Sequence, residues 1–263
     1  MDIIVCIKQV PDTTEIKIDP VKNTLIRSGV PSIMNPFDRH ALEAACALRD
    51  EHGGKVVALS MGPAQAKTML REALSVGADE AYLVTDRAFG GSDTYATSYI
   101  LSRAIRHVGT FDLVLGGIQA IDGDTGQTAS SIAEHLDWAL VTHAVGMRVE
   151  GRRAVVERRL EEGIETVEAA LPCVCTLTKE SNRPRYASIR SKLASISAEI
   201  PEIHFEDLQE GMDVSRIGLK GSPTRVKSTF VPERTAEGVR FEGDARSMAG
   251  ALLDHLDQAK ALE

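Results

Sequence analysis

The 263-residue chain has few aromatic residues, few cysteines and no long apolar segment. Aromatic residues make up only 4% of it, with a single tryptophan, which agrees with a binding site built from backbone and small polar groups. No apolar run approaches the roughly 18 residues that a membrane-spanning helix needs. The N-terminal sequence MDIIVCIKQV lacks the basic start of a signal peptide. The four cysteines are too scattered for a disulfide scaffold, so a cytoplasmic location without membrane insertion is expected.

Acidic residues outnumber basic ones and give a formal net charge of −8. This sign argues against nucleic acid or an anionic membrane as the main partner. The sequence also lacks the dinucleotide fingerprint G-x-G-x-x-G and the P-loop G-K-[ST]. Cys173 and Cys175 share one face of an expected strand, but no second pair or histidine cluster accompanies them. Buried structural thiols are therefore expected there, and no metal site.

Short apolar runs alternate with helix-like segments in the first half of the chain. The expected strands are residues 3–7, 56–60, 81–84 and 113–115. The expected helices are residues 38–52, 63–76 and 93–107. This alternation predicts an α/β fold, with a parallel sheet and helices on both faces. Ligands of such sheets bind beyond the carboxyl ends of the strands.

The pattern changes after about residue 140. Period-2 alternation around Gly151 and Gly163 predicts an antiparallel hairpin at the sheet edge, and residues 172–178 read as a buried strand. Residues 179–235 have weak periodicity, which suggests an arm lying on another chain. An apolar stripe predicts an amphipathic helix within 244–262. We therefore expect a nucleotide-binding domain over 1–178 and a partner-binding loop, arm and helix over 179–263.

A glycine-rich loop, LGGIQAIDGDTGQT at 115–128, joins an expected strand to an expected helix. Its backbone N–H groups and the helix dipole would attract phosphate, although the loop contains no lysine or arginine. Its acids, Asp122 and Asp124, could accept hydrogen bonds from ribose hydroxyls, from loop N–H groups or at the helix N-cap. The composition fits a nucleotide better than free phosphate. A Gly-Asp turn with an N-cap is the alternative.

Two further loops are expected above the same sheet edge. The first combines residues 10–13 with residues 35–38, where Asn35 precedes proline and should be extended, and Asp38 could cap the next helix. The second is the glycine loop 87–94, with Thr97 one helical turn later. Each alone could be a simple turn. Three such loops above one edge predict a shared nucleotide site.

Several motifs in series resemble the beta subunit of electron-transfer flavoproteins. They are V-C-I-K-Q-V-P-D-T, M-N-P-F-D, S-M-G-P-A-Q, G-A-D-E-A, G-I-Q-A-I-D-G-D-T-G-Q-T, V-x-R-x-x-E-x-G-x-E-x-V-x-x-x-x-P and R-P-R-Y-A-S-I-R. The resemblance covers essentially the whole chain. It implies an adenine-nucleotide α-hydrolase-like α/β fold with an antiparallel edge hairpin and a C-terminal arm. It also implies a heterodimer with an alpha subunit that carries the electron-transferring FAD.

The resemblance also implies a set of cofactor-binding residues, with no general acid, base or nucleophile among them. They are Cys6, Asn35, Pro36, Phe37, Asp38, Met61, Thr94, Thr97, Gly117, Gln119, Ala120, Ile121, Asp122, Gly123, Asp124, Thr125, Gly126, Gln127 and Thr128. Ordinary members of the family hold structural AMP here and pass electrons between dehydrogenases and a quinone reductase. A second branch holds a second FAD instead.

The sequence resembles the second branch at two segments, V-P-D-T at 10–13 and D-R-A-F-G-G-S-D-T at 86–94. Thr94 and Thr97 would then touch the extra flavin. In that branch the FAD accepts a hydride from NADH and bifurcates the electrons to the alpha-subunit FAD and a low-potential acceptor, ferredoxin or flavodoxin. The chain would oxidise NADH only if this second FAD is present. The ordinary AMP-holding subunit is the alternative.

Residues 179–186, K-E-S-N-R-P-R-Y, match the loop by which the family recognises a partner dehydrogenase. They lack the leucine that ordinary members present, which leaves the partner unidentified. Two other classes remain as alternatives. An ATP-pyrophosphatase-type adenylating enzyme carries S-G-G-x-D-S, which F-G-G-S-D-T at 89–94 resembles, but that loop should follow the first strand and here follows the third. Stress-type nucleotide-binding proteins are usually shorter and lack such an arm.

Overall fold

The computed structural model describes residues 1–12, 18–19, 24–25, 31–228 and 238–261. The contacts divide the chain into two compact units, Met1–Lys227 and Ser228–Glu263. The helices are α1 (Pro36–His52), α2 (Lys67–Val76), α3 (Thr94–Val108), α4 (Thr128–Leu136), α5 (Ile189–Ile196), α6 (Phe205–Leu208), α7 (Gly218–Gly221) and α8 (Ala245–Gln258). Single 3₁₀ turns lie at Ala64–Ala66, Arg87–Phe89 and Val214–Arg216.

Most of the strands belong to one large sheet. The strands are β1 (Ile3–Cys6), β2 (Gln9–Pro11), β3 (Ile18–Asp19), β4 (Thr24–Leu25), β5 (Ser32–Met34), β6 (Val56–Met61), β7 (Glu80–Val84), β8 (Leu113–Gly117), β9 (Ala139–Glu150), β10 (Arg153–Arg159), β11 (Ile164–Ala170), β12 (Cys173–Leu177) and β13 (Glu202–Ile203). The nine-stranded sheet has the order β11-β10-β9-β12-β8-β1-β6-β7-β13. The pairs β2–β5 and β3–β4 form two small separate sheets.

Seven neighbouring strands of the large sheet, in the order β9-β12-β8-β1-β6-β7-β13, are parallel. Strands β10 and β11 continue the sheet beyond β9 and are antiparallel. The predicted α/β fold with an antiparallel edge hairpin is therefore confirmed. Strand β1 is central, with Ile3 opposite both Val56 of β6 and Leu113 of β8. Because these strands run in the same direction, Cys6, Met61 and Gly117 end them at the same edge of the sheet.

Each face of the parallel sheet is covered by helices. Ile3 and Val5 point toward the core that contains the buried residues of α1 and α2. Ile4 points to the opposite core, which contains those of α3 and α4. Since successive side chains alternate between two buried faces, these strands read as continuous apolar runs. Cys173 and Cys175 lie in β12, buried, with their sulfur atoms 4.0 Å apart.

Residues 179–227 lie in the first unit, whereas the sequence suggested a domain boundary at residue 178. Strand β13 pairs with β7 at the sheet edge. Arg185 donates to the Glu43 carboxylate of α1 at 2.8 Å. Such polar contacts leave no apolar periodicity in the sequence, which is why this packing was not predicted. That residues 179–263 pack on a partner subunit stays a prediction.

The second unit contains α8 within the predicted range 244–262. Asp244 caps this helix by accepting hydrogen bonds from the backbone N–H groups of Arg246 and Ser247, both at 2.9 Å. Leu252 and Leu253 are exposed on α8. Within the described parts of the chain, no helix is both long and apolar enough to cross a membrane.

Candidate functional site

A cleft of about 770 Å³ lies at the carboxyl ends of β1, β6 and β8. Its size is within the range of small-molecule and cofactor pockets. Most of the predicted site residues line it: Cys6, Asn35, Asp38, Met61, Thr94, Thr97, Gly117, Gln119, Ala120, Asp122, Gly123, Thr125, Gly126, Gln127 and Thr128. Pro36, Phe37, Ile121 and Asp124 do not line it. The three predicted loops thus meet around one cavity.

The carboxylate of Asp38 joins two of these loops. It accepts a hydrogen bond from the Lys8 backbone N–H at 2.8 Å and another from the Gly117 backbone N–H at 3.0 Å. Asp38 is buried, and this burial raises its pKa to about 7 despite the two N–H donors and the nearby Lys8 ammonium. Asp38 lies in the first turn of α1, and the N-cap position belongs to Asn35. The expectation that Asp38 caps this helix was therefore wrong, because its oxygens are turned toward the strand ends.

Asn35 holds the glycine-rich loop in place. Its side-chain amide donates to the Gln119 carbonyl at 2.8 Å and accepts from the Ile121 N–H at 3.3 Å. Its backbone angles, φ −50° and ψ 127°, are extended, as expected before proline. The Phe37 side chain lies under the Lys179 ammonium, 4.7 Å from the ring centroid, so α1 presents Asn35 and Asp38 to the cleft rather than Phe37.

The glycine-rich loop forms an ion pair with a lysine from a distant part of the chain. Nζ of Lys8, in the turn after β1, lies 2.7 Å from Oδ1 of Asp122. Among the described residues that line the cleft, Lys8 is the one cationic side chain. The sequence reasoning missed it, because only the motif V-C-I-K-Q pointed to this turn and nothing in that motif indicates Asp122.

The remaining acid of the loop shapes the backbone. Asp124 adopts a left-handed conformation with φ 54°, and its N–H donates to the Ala120 carbonyl at 2.8 Å. The Gln119 side-chain amide donates to the Asp124 carboxylate. A left-handed conformation is tolerated by aspartate better than by most residues. Asp124 therefore serves the shape of the loop, which explains why it is absent from the cleft wall.

Helices α1, α3 and α4 begin at the cleft, and their N-termini differ in charge. Helix α4 has Gln127 at its N-cap, with no side-chain cap and no acid in its first turn. Helix α3 is capped by Asp93, whose carboxylate accepts from the Ala96 N–H at 3.1 Å. Helix α1 starts with Pro36, which has no N–H, and carries Asp38 in its first turn. An anion is therefore favoured at α4 and disfavoured at α3. The alternative of an acid at the N-cap of α4 does not hold.

The part of the cleft wall formed by residues 90–94 and Thr97, at the start of α3 and in the loop before it, is here called the far lobe. Gly90, Gly91 and Ser92 line it together with Thr94 and Thr97. Asp86 stabilises the beginning of this loop by accepting from the backbone N–H groups of Ala88 at 2.8 Å and Phe205 at 3.1 Å. Those bonds hold the pKa of Asp86 below its usual value.

Two more segments, at residues 10–11 and at Thr224, contribute to the cleft wall. Val10 and Pro11 line the cleft, whereas Asp12 does not. Thr13 lies outside the described residues. Thr224, from the end of the first unit, lines the far lobe. No sequence signal pointed to Thr224, because it is more than a hundred residues from the loop that it joins.

Among the described residues that line the cleft, Ser60 has a buried hydroxyl without a hydrogen-bond partner. Ser60, in β6, is only 1% exposed, and its hydroxyl has no hydrogen-bond partner within the described parts of the chain. Buried polar groups are nearly always satisfied by protein, water or ligand. In contrast, Asp38, Asp86, Asp93 and Asp122 all bond protein groups. The acids that line the described cleft are therefore occupied, and the threonine hydroxyls and the N–H groups at the start of α4 suit an uncharged ring and a phosphate.

Comparison with known proteins finds relatives along most of the chain. A family model described as "Electron transfer flavoprotein domain" matches residues 22–208. The electron transfer flavoprotein subunit beta of Thermoanaerobacterium thermosaccharolyticum is 49% identical over 258 residues, 98% of each chain. Caffeyl-CoA reductase-Etf complex subunit CarD of Acetobacterium woodii is 47% identical over 260 residues, also 98% of each chain. Protein FixA of Azorhizobium caulinodans is 46% identical over 245 residues, 90% of this chain and 86% of its own. The chain therefore belongs to the electron-transfer flavoprotein family, as a beta subunit.

Proposed function

We propose that this beta subunit binds FAD in the cleft. This FAD accepts a hydride from NADH. It then bifurcates the electrons to the alpha-subunit FAD and to a low-potential acceptor such as ferredoxin or flavodoxin. The observation that carries this proposal is the lining of the cleft. One part of it is the acid-free N-terminus of α4, and another part is the far lobe at the start of α3. AMP would need only the first part.

The phosphates are best accommodated at α4. The first N–H groups of a helix lack intrahelical partners, and the helix dipole adds partial positive charge. No side chain of the described residues caps this terminus, and Lys8 is the cation of the same cleft. Gly123 and Gly126 leave the loop backbone open to close approach, since a side chain at Gly123 would meet no protein atom within 4 Å.

The far lobe suits an uncharged polar ring better than a second anion. The carboxylate of Asp93 places negative charge at the start of α3. Gly90 and Gly91 provide wall surface without side chains, and Thr94 and Thr97 supply neutral hydroxyl groups. These residues would bind and orient the isoalloxazine ring, whose redox chemistry the cofactor itself supplies.

The buried titratable groups near the strand ends support the shape of the site. Burial, followed by the nearby Asp38 carboxylate, raises the pKa of the Cys6 thiol to about 12, so this thiol stays neutral. The Asp38 carboxylate already accepts hydrogen bonds from two backbone N–H groups. We therefore assign binding, orientation and exclusion of water to this chain, and no proton transfer.

The alpha subunit is the partner that the family implies, and a dehydrogenase is the further partner that we propose. One relative is named as a subunit of a caffeyl-CoA reductase-Etf complex. The segment 179–186 is anchored to α1, where the Asn182 amide donates to the His40 carbonyl at 2.9 Å. The following helix α5 exposes Ile189, Leu193 and Ile196 by 83%, 64% and 65%. Residues spaced in this way share one face of a helix, and we propose that this face receives the dehydrogenase.

Competition between FAD and AMP on the heterodimer tests the proposed cofactor. The co-purified heterodimer is loaded with AMP, incubated with excess FAD and desalted, and the AMP that remains is measured by mass spectrometry. We expect FAD to displace AMP, and we expect Thr97→Val to weaken FAD binding while leaving AMP binding unchanged. Thr110→Val, an exposed change beyond the opposite end of α3, is the matched control. AMP that resists excess FAD would refute the assignment.

A further inference from the structure

The segment 213–224, here called the strap, is fastened onto the first half of α3. The hydroxyl of Tyr99 accepts a hydrogen bond from the Asp213 N–H at 2.8 Å. The guanidinium of Arg216 lies 4.1 Å from the Tyr99 ring centroid and 5.2 Å from that of Tyr95. Such cation–π contacts are favourable and directional. They hold the first half of the strap against the helix that begins at the cleft.

The second half of the strap contacts the glycine loop that forms the far lobe. The Leu219 N–H donates to the Gly90 carbonyl and the Gly218 N–H donates to the Ser92 hydroxyl, both at 3.1 Å. Gly218 has φ 61°, and a Cβ there would lie 2.4 Å from the Ala88 carbonyl oxygen. Only glycine allows this approach without displacement. The backbones of the strap and of the glycine loop are therefore hydrogen-bonded and in close contact.

Asp93 is held by the strap from two sides. Its N–H donates to the buried Ser222 hydroxyl at 2.9 Å. Its Oδ2 accepts from the N–H and the hydroxyl of Thr224, at 2.9 and 2.8 Å. Its Oδ1 remains available for the Ala96 N–H of α3. Both carboxylate oxygens are thus occupied, and the charge is kept at the helix end.

We propose that the strap, through Ser222 and Thr224, positions Asp93 and so determines the preference of the far lobe for a long nucleotide such as FAD over AMP. This inference rests on the proposed FAD binding. Without the Thr224 hydroxyl, the Asp93 carboxylate has one fewer bond and can turn toward the lobe, where its charge disfavours the ring. The α4 end of the cleft, which both nucleotides would use, lies outside these contacts.

The test compares Thr224→Val with Thr224→Ser in the heterodimer. Thr224→Val keeps the size of the side chain and removes the hydroxyl, whereas Thr224→Ser retains the hydrogen bond to Asp93. We expect the dissociation constant for FAD to rise roughly fivefold in Thr224→Val, as for the loss of one partly exposed hydrogen bond. AMP affinity should be unchanged, the melting temperature should fall only slightly, and Thr224→Ser should restore FAD affinity.

A second readout needs no ligand. Hydrogen exchange at the Asp93 and Ala96 amides should be faster in Thr224→Val than in the wild type or in Thr110→Val. Unchanged exchange at these amides, or equal weakening of FAD and AMP binding, would overturn the role of the strap. A wild-type heterodimer that binds no FAD in this subunit would instead overturn the proposed function, and the exchange rates would then still decide whether Thr224 positions Asp93.

Discussion

Nζ of Lys8 lies 2.7 Å from Oδ1 of Asp122, so a loop without a basic residue of its own is paired with a lysine 114 positions earlier in the chain. This pair explains one of the two acids in the glycine-rich loop. The other, Asp124, is used by its own loop. Aspartate is therefore compatible with a phosphate-binding loop here, because neither carboxylate is left free to repel an anion.

The Lys8→Met change should lower the affinity of the cleft for phosphate-bearing ligands. Lys8 is half-exposed, so its ion pair should contribute only about 1 kcal/mol or less to folding. As the one cation lining the described cleft, however, Lys8 should favour a phosphate nearby. We expect AMP affinity to fall about tenfold at low salt and adenosine affinity to change little, as measured by calorimetry.

Lys55→Met is the matched control for this prediction. Lys55 pairs with Glu80 at 3.1 Å with similar exposure, and neither residue lines the cleft. Equal losses of AMP and adenosine affinity in Lys8→Met would show that Lys8 acts only by holding the loop.

The glycines of the loop should differ sharply in what they tolerate. A Cβ at Gly117 would lie 2.5 Å from the Phe37 Cβ and 2.6 Å from an Asp38 oxygen, so Gly117→Ala should lower the free energy of unfolding by about 1–3 kcal/mol. A Cβ at Gly123 would meet nothing, and its φ is not positive. Gly123→Val should therefore leave urea unfolding nearly unchanged and weaken nucleotide binding. Unaltered affinity in Gly123→Val would mean that this part of the loop is only a turn.

Asp38 should make the stability of the protein depend on pH. Its pKa in the folded protein, about 7, lies above the ordinary 3.8, so the folded state keeps a proton that the unfolded state has lost. The stability that this proton provides is fully present below pH 3.8 and is lost as the pH rises through 7. The total change is on the order of 4 kcal/mol at most.

Asp38→Asn removes this titration, and urea unfolding of both proteins between pH 4.5 and 8 measures it. The asparagine offers a single acceptor oxygen to two N–H donors, which gives a roughly constant loss at all pH values. We expect the wild type to lose stability relative to the variant as the pH rises. Parallel curves for the two proteins would show that Asp38 is ionised throughout this range.

The exposed face of α5 should matter for a partner and not for the cleft. Leu193 is 64% exposed, so Leu193→Asp should change the melting temperature little. We expect it to slow electron transfer between the heterodimer and a co-purifying dehydrogenase, because a charge would enter the contact. Ala194→Asp, which adds the same charge at the exposed neighbouring position of the helix, is the control for charge. Unaltered transfer in Leu193→Asp would place the dehydrogenase elsewhere.

The repetitive parts of the fold could be predicted from the sequence. Strands β1, β6, β7 and β8 and the helices between them lie within a few residues of the expected ranges. Their signal is strong because one apolar residue after another faces a buried layer. The start of α1 was less predictable. The helix begins at Pro36, since proline lacks only an N–H that a first turn leaves unpaired, and this places Asp38 inside the turn.

The long-range polar contacts of the site could not be predicted. Lys8 with Asp122, Asn35 with Gln119, and Asp93 with Thr224 each join distant segments through one or two hydrogen bonds. A single polar residue in a loop carries no periodicity, and the same residue would suit a solvent-exposed turn equally well. The family motifs identified these loops, whereas only the structure shows which side chains hold them together.

The number and kind of nucleotides in the co-purified heterodimer test the FAD assignment most directly. The heterodimer is incubated with excess FAD, desalted and denatured, and the released FAD and AMP are counted by chromatography. NADH is added to a second portion without oxygen, and the flavin absorbance is followed. We expect two FAD per heterodimer, no AMP, and bleaching of the flavin by NADH. One FAD with one AMP, and no reaction with NADH, would contradict the proposal and assign the cleft to structural AMP.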